Sequence, residues 1–157
     1  MTPVRPPRIT TLDIWSEDAM ELAGKRVLVL EDDYLIGLEL ERIAVECGAK
    51  SVQILATVEE LTDWVQSGAS GDIAIIEVQA RGASSLPAAS LLRARGIPIV
   101  FTTAYEPERN GIAGFEGTPL VGKPYGKTQI VQAISLLRET AFGIASRQDD
   151  GSSGELV

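Results

Sequence analysis

Five short apolar runs rich in β-branched residues, each separated from the next by a stretch with helical spacing, constrain this chain more than any other feature. The runs are Arg26–Leu30, Ser51–Leu55, Asp72–Ile76, Ile97–Thr102 and Thr118–Gly122. Strands that alternate with helices are the mark of βαβ units, and near-continuous apolar strands belong to a parallel sheet covered on both faces. Between the first two runs Leu35, Ile36, Leu38, Leu40, Ile43, Ala44 and Cys47 recur at helical spacing, and Gly48 is placed to end that helix. Val58–Gln66 reads as a second helix capped by Thr57, Ser84–Arg95 as a third and Lys127–Thr140 as the last. A weaker helix is expected between Glu106 and Gly117, where Gly111, Gly114 and Gly117 each cost about 1 kcal/mol relative to Ala in a helix interior. The fold class that follows is α/β, a doubly wound five-stranded parallel sheet.

The remaining segments are tails. Residues 1–23 form an N-terminal arm with a short helix in "WSEDAMELAG", capped by Ser16 and stopped by Gly24. Residues 24–140 form the domain, and the polar, Gly/Ser-rich residues 141–157 a flexible C-terminal tail. Lys plus Arg number 14 and Asp plus Glu 22, a net charge of −8 that argues against nucleic acid as a partner. The chain has no His, which removes His-based acid–base catalysis, phosphohistidine chemistry and the commonest metal ligand. Its one cysteine, Cys47, cannot form an internal disulfide. No apolar segment approaches the roughly 18 residues needed to span a bilayer, and the N-terminus lacks the apolar stretch of a signal peptide. A cytoplasmic protein without membrane contact is expected.

Ligands of such a sheet bind beyond the carboxyl ends of its strands. Glu31, Asp32 and Asp33 follow the first strand, Glu77 the third, Thr102 and Thr103 end the fourth, and Lys123-Pro124 follows the fifth. Singly, each has an ordinary explanation: an acid after a strand caps a helix, Thr favours strands, and Lys is usually solvated. Together they converge on one edge. Carboxylates about 5 Å apart at an effective dielectric near 20 repel by roughly 3 kcal/mol per pair. Lys123, a divalent ion with oxygen ligands, or a retained proton must offset that repulsion.

This order of residues resembles the receiver domain of two-component response regulators, over roughly Gly24 to Leu137. The resemblance implies a flavodoxin-like receiver fold. It implies that Glu31 and Asp32 hold Mg²⁺ with Glu77 and the backbone carbonyl of Gln79, and that Glu77 stands at the phosphoacceptor position. Thr103 and Lys123 then fall at the positions that contact the phosphoryl group, while Asp33 caps the following helix. The family carries Asp where this chain has Glu77. The extra methylene moves the carboxylate by about 1.5 Å, and misplacing a reacting group by about 1 Å can cost roughly 100-fold in rate. The loop "VQARGASS" also lacks the Met-Pro and Asp-Gly usual in the family. Leu120 stands where a switch Tyr or Phe is common, with Tyr105 and Phe115 as the nearby aromatic residues.

The expected function is that of a single-domain bacterial response regulator in phosphorelay signalling, atypical and independent of phosphorylation. The reach of Glu77 would bring its carboxylate to Lys123 and Thr103 and imitate the phosphorylated state. Output would pass through the face made by the weak fourth helix, the fifth strand and the last helix. Its partner would be a histidine kinase, a phosphotransfer protein, an output protein or a second copy in a homodimer. The alternative is a metal-dependent phosphatase-like enzyme using the acid cluster. That reading fits poorly, because such enzymes need an Asp nucleophile first in a pair of acids separated by one residue, whereas "LEDDYL" begins with Glu31 and no Gly-rich phosphate loop accompanies it.

Overall fold

The computed structural model describes residues 20–104 and 111–138. Chain order is β1 (Arg26–Leu30), α1 (Tyr34–Glu46), β2 (Ser51–Leu55), α2 (Val58–Gln66), β3 (Ile73–Glu77), a two-strand hairpin of β4 (Gln79–Ala80) and β5 (Ala83–Ser84), α3 (Leu86–Ala94), β6 (Ile99–Thr103), β7 (Leu120–Gly122) and α4 (Lys127–Arg138). The main sheet has the order β2-β1-β3-β6-β7, and all four pairings are parallel. The chain is therefore wound outward from β1 in both directions, the doubly wound α/β arrangement.

Alternation along the central strands divides the core into two layers. Leu28, Leu30, Ala74, Ile76 and Phe101 face α2 and α3, meeting Leu61, Trp64, Ala89 and Leu92. Val27, Val29, Ile73, Ile75 and Val100 face α1 and α4, meeting Leu40, Ile43, Ile130 and Ile134. Each fully buried Leu or Ile contributes about 1.5–3 kcal/mol relative to an exposed one. The helix starts are set locally. Asp33 accepts the N–H groups of Leu35 and Ile36 at the start of α1, and Thr57 and Glu60 form a reciprocal capping box at α2.

Several boundaries differ from expectation for identifiable reasons. β3 runs one residue further than Asp72–Ile76, so Glu77 lies inside the ladder opposite Thr102, and Asp72 instead receives the backbone N–H and guanidinium of Arg26. Ser84–Arg95 shortens at its start because Ala83 and Ser84 pair with Ala80 and Gln79. β7 begins only at Leu120, as Pro119 has no N–H to give and Thr118 bonds to Phe115 in a turn. The largest correction concerns the fourth helix. Its described part, Gly111–Gly117, runs through turns rather than a helix, with positive φ at Gly111, Gly114 and Gly117. Residues 106–110 lie outside the described residues. So do Trp15, Ser16 and the tail 141–157, while the described end of the proposed N-terminal helix, Met20–Gly24, is a turn. Among the described residues, no helix is long and apolar enough to cross a membrane.

Candidate functional site

The parallel register brings the carboxyl ends of β1, β3, β6 and β7 to one edge, and the acids meet there. Glu31 follows β1 directly and is 2% exposed; Glu77 ends β3 at 5% exposure. Lys123 follows β7 and reaches over the end of β6 to both. Its Nζ donates to Glu77 Oε2 at 2.9 Å and to Glu31 Oε2 at 3.0 Å. Nζ also lies 2.9 Å from Glu31 Oε1, but off the hydrogen-bonding direction, so that buried oxygen has no hydrogen-bond partner. The Asp33 N–H donates to Glu31 Oε2 at 3.0 Å, and the Asp32 N–H approaches Glu77 Oε1 at 3.4 Å.

Two buried carboxylates share one ammonium, and the electrostatics follow from that. Burial pushes the Glu31 carboxyl up to about 7; Lys123 draws it back and the Glu77 charge adds to the rise. Burial works against the Lys123 ammonium, yet its bonds to Glu77 and Glu31 outweigh that and hold its pKa above the ordinary value. Asp32 is partly buried, which opposes ionisation, but the Arg81 N–H donating to it and its contacts with Glu77 and Glu31 hold it below the usual carboxylate range. Carboxylate oxygens of Glu31, Asp32 and Glu77 all lie within 4.8 Å of one another, a span that an oxygen-ligated divalent cation bridges.

Beside these acids is a cavity of about 380 Å³ lined by Asp32, Glu77, Gln79, Arg81, Thr103 and Lys123 among others. Glu31, Asp32, Asp33, Glu77, Gln79, Thr103 and Lys123 thus stand at one edge of the sheet. Thr103 is the last residue of β6 and is buried, paired in register with Gly122. Gln79 is exposed at the start of the hairpin, opposite Ser84. Asp33 points into its own helix as a cap. Phe115 is core, 4% exposed and edge-on to Phe101 at 5.1 Å between ring centres. Tyr105 lies outside the described residues.

Sequence reasoning missed four residues here. Arg81 and Gly82 join β4 to β5 with φ of 51° and 79°, the two positive values of a type I′ turn. Gly takes this conformation freely, whereas a non-glycine residue is strained by about 1–2 kcal/mol. The compensating bond is charge-assisted: the Arg81 N–H donates to Asp32 Oδ2 at 2.7 Å. A Gly at the second position of a two-residue connection was the signal available. Ser85, fully buried, closes the hairpin base by donating from Oγ to the Glu77 carbonyl at 2.6 Å. Tyr125, two residues beyond Lys123, has a buried hydroxyl without a hydrogen-bond partner, and burial together with the Glu31 and Glu77 charges disfavours its ionisation.

Neither a protein-family model nor a curated protein matches the chain. Solved structures do. The chain is 30% identical to SdrG from Sphingomonas melonis Fr1, covering 74% of this chain and 97% of that one with a TM-score of 0.62. It is 28% identical to the REC domain of the PhyR response regulator from Erythrobacter litoralis, covering 73% and 90% with a TM-score of 0.61. The chain belongs to the response regulator receiver domains. This receiver domain is also 26% identical to the response regulator PhyR from Brucella abortus, at a TM-score of 0.66; the match covers 88% of the present chain and 58% of that protein. The strand order and the flanking helices are those of the receiver fold.

Proposed function

We propose that this receiver domain signals by protein–protein contact without needing phosphorylation, Glu77 taking the part of a phosphorylated Asp. One observation carries the reading: the Glu77 carboxylate already sits on Lys123, at 2.9 Å, where a receiver would place an acquired negative charge. The fixed carboxylate holds Lys123 and faces Thr103 across the same cavity. Such a domain works as a module in bacterial two-component signalling in the cytoplasm, not as an enzyme. Glu31, which the phosphatase-like alternative would use as a nucleophile position, is instead buried under Lys123 and the Asp33 N–H.

Glu31, Asp32, Glu77 and the backbone carbonyl of Gln79 are the residues that would hold Mg²⁺. The donor set suits a hard cation, and Glu31 Oε1 is a buried oxygen that accepts no hydrogen bond. When bound, the ion would offset the charge that Lys123 leaves uncompensated. Segment 111–117, β7 and α4 form the face assigned to partners: a histidine kinase, a phosphotransfer or output protein, or a second copy. Leu136 is half exposed on that helix.

The test is affinity capture from cells followed by a binding measurement on the captured partner. Wild type should bind without any phosphodonor, and Glu77→Ala should bind about 5–150-fold more weakly, the usual range of one coupling. Equal binding by both would remove Glu77 from the signalling role. Stoichiometric phosphorylation of wild type that disappears in Glu77→Ala would make Glu77 an acceptor instead.

A further inference from the structure

The hairpin Gln79–Ser84 is fastened at both ends by atoms of the acid site. At its base, Ser85 donates from its backbone N–H to the Val78 carbonyl at 2.9 Å and from Oγ to the Glu77 carbonyl at 2.6 Å. At its tip, the strained Arg81 gives its N–H to Asp32 Oδ2. The turn is open at Gly82, where an added Cβ would meet no atom within 4 Å. The Asp32 carboxylate therefore holds down the end of a strap whose other end is rigid.

We propose that the Arg81–Gly82 turn is a strap over the acid cluster, pinned by Asp32, and that occupancy of the cluster by a divalent cation is transmitted to the surface through it. The coupling rests on the cation reading of the site given above. A cation drawing on Asp32 competes with the Arg81 N–H for the same carboxylate, because an oxygen turned toward the ion loses its alignment with the amide. Ser85 confines the response to the tip. The consequence appears at the exposed turn itself, where Arg81 and Gly82 both face solvent. That surface is separate from the one formed by segment 111–117, β7 and α4. Here Arg81 is a positioning residue, acting through its backbone on Asp32.

The experiment follows amide resonances and amide exchange in the full chain, with Mg²⁺ as the probe. In Mg²⁺-free buffer Asp32→Asn should quicken exchange of the Arg81 amide roughly tenfold by replacing a charged acceptor with a neutral one. The Ser85 amide should keep its wild-type rate. Arg81→Gly, which retains the N–H and relieves the strain, should remain as protected as wild type and guards against misreading a folding defect. Adding Mg²⁺ to wild type should move the Arg81 and Gly82 resonances together with those of Asp33 and Lys123. Movement of Asp33 and Lys123 while Arg81 stays fixed would overturn the coupling and leave the cation site standing. If none of the four moves, the cation reading fails and the coupling with it. An unchanged Arg81 exchange rate in Asp32→Asn would overturn the strap itself.

Discussion

Lys123 Nζ donates to Glu77 Oε2 at 2.9 Å, joining the ends of β7 and β3 across the strand that lies between them. The same ammonium reaches Glu31 after β1, so one side chain ties three strand ends of the sheet together. Both carboxylates are almost wholly shielded from water.

Removing that ammonium should be costly. Lys123→Met leaves Glu31 and Glu77 buried beside each other without a counter-charge, and breaking a buried ion pair from one side typically costs about 3–5 kcal/mol. Chemical denaturation should show the loss, and Lys123→Met combined with Glu77→Gln should recover part of it. A Lys123→Met midpoint equal to wild type would mean the pair contributes nothing.

Acetyl phosphate with Mg²⁺ should leave wild type unmodified, while Glu77→Asp should gain the mass of one phosphoryl group. Shortening the side chain by one methylene withdraws the carboxylate by about 1.5 Å and opens the position on Lys123 that Glu77 fills. Intact-mass measurement reads the result. A Glu77→Asp protein that stays unmodified would place the defect elsewhere in the site.

Segment Gly111–Gly117 should exchange its amide hydrogens faster than α4, since it has turns in place of a helical ladder. Phe115 anchors it in the core, and Arg93 adds to this, its guanidinium lying 4.2 Å above the Phe115 ring and donating to the Gly114 carbonyl at 2.6 Å. Arg93→Gln should therefore speed exchange at Gly114–Glu116 further and leave β3 unchanged. Equal protection of this segment and α4 in wild type would count against its being the looser part of the proposed partner face.

The pH dependence follows from Glu31, whose carboxyl is raised by burial from 4.5 to about 7. The folded state keeps a proton there that the unfolded chain releases, so this group's contribution is fully present below about 4.5 and is lost as pH rises through about 7. In buffer with a chelator, thermal midpoints of Glu31→Gln should fall less than those of wild type across that window. Parallel curves would show that Glu31 titrates alike in both states.

Much of this was legible along the chain because it depends on near neighbours. The alternation of Val27, Leu28, Val29 and Leu30 between two helical layers follows from the period of a strand, and the caps Asp33 and Thr57 act within three residues of themselves. The order of Glu31, Asp32, Glu77, Thr103 and Lys123 along the strands placed them on one edge, since in a parallel sheet every carboxyl end points the same way.

What the sequence by itself could not decide is how those groups share charge and space. Whether Glu77 rests on Lys123 depends on a distance between residues 46 apart in the chain, fixed by the register of three strands. The hairpin was unreadable as such, because two-residue strands carry too little periodicity and Arg81 adopts its conformation only against the Asp32 carboxylate, 49 residues away. The missing helix at Gly111–Gly117 shows the same physics from the other side. Three glycines weakened the local preference for a helix, and the burial of Phe115 against Phe101 under Arg93 selected the turns instead.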